Sequence, residues 1–327
     1  LLRGARLMNA AGRLSLYGAG VVVAFGGAFG IAAAVVPDSA VANWTAAADD
    51  SSMADHAGMT GEDTAETATI PGVSLSGYGY ELSPIAAPTG TGESGELSFQ
   101  ILDADGTALT AYESSHEKDL HLIVVRTDGT QFRHVHPTLD EATGTWTTSW
   151  EWTEAGSYRI YADFVPDVAD GPDKVTLTRT VDVAGAFTPN PATATSTTSE
   201  VDGYTVTLDG DLTAGESSEL TLSVTRDGQP VTTLQPYLGA FGHLVALRDG
   251  DLAYLHVHAE GDDPQDGDTA GPDIRFAAEA PTTGRYLLYL DFQVDGQVHT
   301  AEFVVDAGHG TGDTDTDDTH SDTGDGH

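Results

Sequence analysis

Between residues 75 and 307 the chain reads as short runs of alternating apolar and polar positions, cut by Gly- and Asp-containing turns. Alternation with a period of two puts one face of each run toward a core and the other toward solvent, the mark of a half-buried strand. The pattern predicts strands near 77–82, 95–102, 119–126, 131–136, 145–152, 157–165 and 174–183. A second set falls near 203–209, 218–226, 242–248, 252–258, 273–279, 285–293 and 297–305. About seven strands in roughly 110 residues is the size of an immunoglobulin-like sandwich. Ahead of these runs, Tyr17–Val36 is uncharged and long enough to span a bilayer as a helix.

The two sets are copies of one another. Gly92-Glu93-Ser94-Gly95-Glu96-Leu97 matches Gly215-Glu216-Ser217-Ser218-Glu219-Leu220, and His121-Leu122-Ile123-Val124-Val125-Arg126 matches His243-Leu244-Val245-Ala246-Leu247-Arg248. His134-Val135-His136 recurs as His256-Val257-His258, and Tyr158–Phe164 recurs as Tyr286–Phe292. A period this long means a duplicated domain. The expected fold is all-β: two tandem immunoglobulin-like sandwiches after an N-terminal transmembrane helix. The expected boundaries are a cytoplasmic segment 1–16, an anchor 17–37, a tether 38–74, a first sandwich 75–186, a linker 187–199, a second sandwich 200–307 and an acidic, His-containing tail 308–327.

Composition narrows the function. The chain has 51 Asp+Glu against 13 Lys+Arg, a formal net charge of -38, which argues against nucleic acid or an anionic lipid surface as a partner. It has no Cys, which removes disulfides, thiolate zinc sites and iron–sulfur clusters. Arg3, Arg6 and Arg13 before the apolar stretch and the acids after it place the bulk of the chain outside the cell. Cleavage after the small residues Ala40-Val41-Ala42 is the alternative, giving a secreted form of the same domains.

Candidate chemistry lies in the histidines. With Asp128-Gly129 as a two-residue turn, positions whose numbers sum to 257 face each other, and His121, His134 and His136 converge on one face of one hairpin. With Gly250-Asp251 as the second turn, the sum is 501 and His243, His256 and His258 converge likewise. Three neutral imidazoles on rigid strands suit a divalent transition metal without any thiolate. His116 precedes the first hairpin and joins the cluster only if the chain bends near Glu117 and Lys118. Asp163 and Asp291, at equivalent positions in apolar strands, are candidates to ligate or to orient an imidazole. In the tether, Met53, His56 and Met59 combine thioether and imidazole, a donor set suited to Cu(I). The competing reading of the six strand histidines is structural, as core or edge residues bonded to carboxylates. Trp146, Trp150 and Trp152 share one face, which packing alone explains.

The segments HEKDLHLIVVRTDGTQFRHVHP and YLGAFGHLVALRDGDLAYLHVHA resemble those of actinobacterial exported, membrane-anchored proteins with tandem immunoglobulin-like domains. That resemblance implies heavy-metal binding, with an association with copper. Ala259 stands where the first copy has a Pro, a departure from the pattern. Together these features lead to the expectation of a non-enzymatic, extracytoplasmic metal-binding protein. It would hold copper, or alternatively zinc, at one three-histidine site per domain. The second expectation is a surface interaction module with structural histidines, and a hydrolytic or oxidative metalloenzyme is the third.

Overall fold

The structure is a computed structural model that describes residues 72–310, apart from residues 170, 262 and 266. The expected anchor and the Met53, His56 and Met59 motif lie outside the described residues, as do most of the tether and tail. No helix among the described residues is long and apolar enough to cross a membrane. The described secondary structure is all β.

The first domain contains β1 (Ser76–Gly77), β2 (Tyr80–Leu82), β3 (Gly95–Leu102), β4 (Tyr112–Glu113), β5 (Leu120–Arg126), β6 (Arg133–Val135), β7 (Thr138–Asp140), β8 (Thr145–Trp150), β9 (Gly156–Pro166) and β10 (Val175–Val183). The second contains β11 (Thr198–Val201), β12 (Tyr204–Asp209), β13 (Leu212–Ala214), β14 (Ser217–Arg226), β15 (Gln229–Pro230), β16 (His243–Arg248), β17 (Tyr254–Ala259), β18 (Asp273–Glu279), β19 (Gly284–Val294) and β20 (Gln297–His309). Every strand expected from the alternation is present, and β20 runs on to His309.

In the first domain one sheet has the order β1-β2-β3-β8-β7 and the other β10-β9-β5-β6. Their inner faces close over Leu97, Phe99, Leu122, Val124, Trp146, Trp150, Trp152 and Ile160, so the three tryptophans are core residues. The Trp146 and Trp152 indoles donate to Tyr112 Oη and Pro88 O, which satisfies their polar edge. In the second domain the strands follow one path, β11-β12-β14-β18-β17-β16-β19-β20-β13, because β17 pairs with β16 at its start and with β18 afterward. The core there includes Val206, Leu222, Leu244, Ala246, Phe276, Leu288 and Phe303.

Strands β5 and β16 explain how the domains meet. In β5, Leu120, Leu122 and Val124 enter the first core, yet Ile123 and Val125 on the other face are also fully buried. They pack with Tyr161 against Val245, Leu247, Leu252, Tyr254, Leu287 and Tyr289 of the second domain. Two sandwiches therefore lie face to face across a third apolar core. The contacts are reciprocal: Tyr161 Oη donates to Leu252 O and Tyr289 Oη to Gly129 O, each at 2.6 Å. Phe132 stacks on Tyr289 at 4.0 Å, and its counterpart Tyr254 lies 5.9 Å from Tyr161. The copies thus form an isologous contact, related by an approximate two-fold.

The first hairpin pairs Leu122 with Val135 and Ile123 with His134, the expected register of 257. Its loop differs from expectation. Arg126 N donates to Thr130 O, so three residues form the loop instead of two. A bulge places Gln131 (φ 58°) and Phe132 opposite Val125 and restores the register. Gly129 is required twice over: its φ is 82°, and a Cβ there would come within 2.5 Å of Leu287 of the second domain. The linker is tied down beside this turn, where Asp128 Oδ2 accepts from Asn190 N and Asp128 Oδ1 from Arg126 Nε.

Leu247→Ala removes a fully buried side chain from the interdomain core and should destabilise the protein by about 2–5 kcal/mol. Urea unfolding checks this, and a change below about 0.5 kcal/mol, the range of surface substitutions, would show that the interface does not contribute to the fold.

Candidate metal centre between the domains

The same double-sided strands that seal the interface carry histidine at their starts. His121 precedes Ile123 and Val125 on the interdomain face of β5, and His243 precedes Val245 and Leu247 on that face of β16. The two rings stack across the boundary with centroids 5.4 Å apart and planes within 4°. His134, on β6, lies 5.2 Å from His121 and 4.9 Å from His243 by ring centroid. One nitrogen from each of His121, His134 and His243 lies within 4.8 Å of the other two.

Hydrogen bonds fix how these rings present themselves. His121 Nε2 lies 2.9 Å from Ser115 O, a group that can only accept. His134 Nδ1 lies 3.0 Å from Asp291 Oδ2, a carboxylate contributed by the other domain. Both outer nitrogens therefore carry hydrogen. In the neutral rings the inner nitrogens, His121 Nδ1 and His134 Nε2, then hold lone pairs, and they face each other at 3.0 Å. His136 Nε2 lies 3.3 Å from the same His121 nitrogen.

A cation must lie between such lone pairs, either a proton or a metal ion. Burial, followed by the neighbouring His134, lowers the His121 pKa to about 4 and the His136 pKa to about 3. Burial and then His134 and His121 push His243 well below the ordinary value. A proton on His121, His136 or His243 is thus disfavoured at neutral pH. Nitrogens bound to one tetrahedral ion at 2.0–2.1 Å stand about 3.3 Å apart, close to the separations found here.

The pairing expected of the second hairpin is kept only in part. Ala246 pairs with Leu255 and Leu247 with Tyr254, the register of 501, but pairing with β16 ends there. β17 then turns to β18, setting His256 opposite Glu279 and His258 opposite Ala277. His243 is left opposite Asp291 on β19. Among the described residues, His243 thus shares a cluster with His121 and His134 of the first domain.

The two aspartates also diverge. Asp291 Oδ1 accepts from Thr300 Oγ1 and its Oδ2 orients His134. Asp163, opposite His121 on β9, accepts from Thr176 Oγ1 and pairs with Lys174 Nζ at 2.9 Å. His116 does reach the cluster, because the chain bends as that contact requires. Ser115 and Lys118 bridge a tight turn in which His116 and Glu117 have φ of 49° and 62°. Its ring lies 5.3 Å from His243 and 6.1 Å from His121. Sequence reasoning missed the interdomain arrangement. The available signal was the unbroken apolar run after each histidine, LIVV and LVAL, which marks a strand buried on both faces.

A family model described as a domain of unknown function, DUF8832, matches residues 73–184 and again residues 199–309. None of the curated proteins matches the chain. Among solved structures, a Salmonella alpha-2-macroglobulin is 16% identical with a TM-score of 0.24, over 73% of this chain and 15% of that one. Domains 5–6 of the S-layer protein SbsC are 15% identical with a TM-score of 0.20, over 70% of this chain and 98% of theirs. The fibronectin(III)-like modules of Clostridium thermocellum CbhA are 9% identical with a TM-score of 0.18, over 70% and 94%. The chain spans only a small part of the length of the first of these.

The depressed histidines predict an acid-sensitive fold. At pH 7 these rings are neutral both folded and unfolded. Below about 6.5 the unfolded chain takes up protons that folded His121, His136 and His243 refuse, so stability falls with pH until the folded values are reached. Urea midpoints of the metal-free protein should therefore drop between pH 6.5 and 5, above most carboxylate titration. A flat profile over that range would show that the rings are not held neutral.

Proposed function

We propose that this chain, which belongs to the DUF8832 family, is a non-enzymatic metal-binding protein whose ion bridges its two domains. The observation that carries this reading is the pair of lone-pair nitrogens, His121 Nδ1 and His134 Nε2, facing each other at 3.0 Å with their outer nitrogens committed to acceptors. His243 supplies a nitrogen from the second domain, and His136 Nε2 stands 3.3 Å from His121 Nδ1 beside these three. Asp291 serves as the carboxylate that fixes a ligand's tautomer and raises its basicity.

The metal we favour is copper. An all-imidazole set without thiolate or carboxylate ligands suits Cu(II), Zn(II) and Ni(II), and Cu(II) heads the affinity order. We place the protein outside the cytoplasm, held by the apolar stretch Tyr17–Val36, because the acidic domains follow that stretch and the arginines precede it. Ions delivered or captured at the cell surface would then be the cargo.

Equilibrium dialysis against Cu(II) with elemental analysis should find one tightly held ion per chain in the two-domain region. Asp291→Asn should weaken binding by about 10–100-fold, the usual cost of losing such a partner. A wild-type protein that retains no ion would refute the reading.

A further inference from the structure

A cavity of about 480 Å³ opens beside the cluster, between the Ser115–Lys118 turn of the first domain and the second domain. Its wall includes His116, Phe241, Glu260, Asp263, Asp273 and Arg275. Three carboxylates face one guanidinium there, so the cavity favours cations even after Arg275 is counted. Lys174, already paired with Asp163, also acts on His116 from the first domain.

His116 stands between the cavity and the histidines behind it. It is exposed on the cavity side, and its ring centroid lies 5.3 Å from that of His243 and 6.1 Å from that of His121. Its backbone holds a left-handed conformation that non-glycine residues seldom adopt, and so does that of Glu117. The equivalent turn of the second domain, Tyr237–Ala240, keeps the conformation with Leu238 and Gly239 at φ of 58° and 76° and has no ligand. Both turns line the cavity, and of the two only the first carries an imidazole.

We propose that His116 is an intake ligand: a divalent cation gathered in the acidic cavity binds His116 first and passes by ligand exchange to His243 and then to His121 and His134. This rests on the interdomain metal site proposed above. No electrons move; each step replaces water or one imidazole nitrogen by another on the same ion. Because His116 is not among the three histidines whose nitrogens lie within 4.8 Å of one another, it adds to the path of the ion and not to its final set. It therefore alters rates, and by detailed balance it alters loading and release by the same factor.

The test is stopped-flow loading of the full chain with Cu(II) alone, read by quenching of intrinsic fluorescence, beside an equilibrium titration in a competing chelator. His116→Asn is the variant of choice, since Asn tolerates the left-handed turn but lacks the imidazole. Loading and release should both slow by about tenfold, the low end of what a charged cleft contributes to on-rates, with affinity unchanged within about threefold. Glu260→Gln with Asp263→Asn should reduce the salt dependence of loading. Unchanged loading in His116→Asn would overturn the proposal. Weaker affinity with unchanged loading would overturn it too, by making His116 an equilibrium ligand. A wild-type chain that never binds Cu(II) would overturn both this and the metal site, whereas a wild-type chain that binds while the variant loads normally removes only the intake role.

Discussion

Strands β5 and β16 have no solvent face, and the rest of the molecule follows from that constraint. One face of each belongs to its own sandwich core and the other to the shared interdomain core. Apolar residues on both faces can be sheltered only if the two copies pack together, and the reciprocal Tyr161 and Tyr289 hydrogen bonds fix how they do so. Where the apolar face runs out, at the start of each strand, stands a histidine. The interface that hides Ile123 and Val245 therefore stacks His121 on His243.

Duplication gives the arrangement its near symmetry, and its departures from symmetry give it chemistry. In a strict two-fold, Asp163 and Asp291 would play the same part. Instead Lys174 occupies Asp163, at a position where the second copy has Val298, and Asp291 is left to hold His134 of the opposite domain. The turns before the hairpins diverge in the same way, with His116-Glu117 in one and Leu238-Gly239 in the other. The first copy thus provides most of the nitrogens, and the second provides one nitrogen and the orienting carboxylate.

Much of this was legible in the chain. Alternation located the fourteen principal strands, and the turn residues gave both hairpin registers, because strand pairing across a short loop is a local property. The loop length in the first hairpin was misjudged, yet the bulge at Gln131 returned the strands to the same pairing. What the chain did not reveal is where β17 leaves β16. That depends on competition from β18, a strand distant in sequence, and it ends the β16–β17 pairing before His243. Nor does a hairpin read alone show what covers its outer face. The burial of Ile123 and Val125 on that face is a property of the second domain's presence.

The central claim is that one ion is shared by nitrogens of both domains, and locating the metal by anomalous diffraction from crystals of the Cu(II)-loaded protein tests it most directly. The account predicts a single peak bounded by His121 Nδ1, His134 Nε2 and a nitrogen of His243. Peaks confined to separate domains, or a peak at His258 with none between His121 and His134, would contradict it.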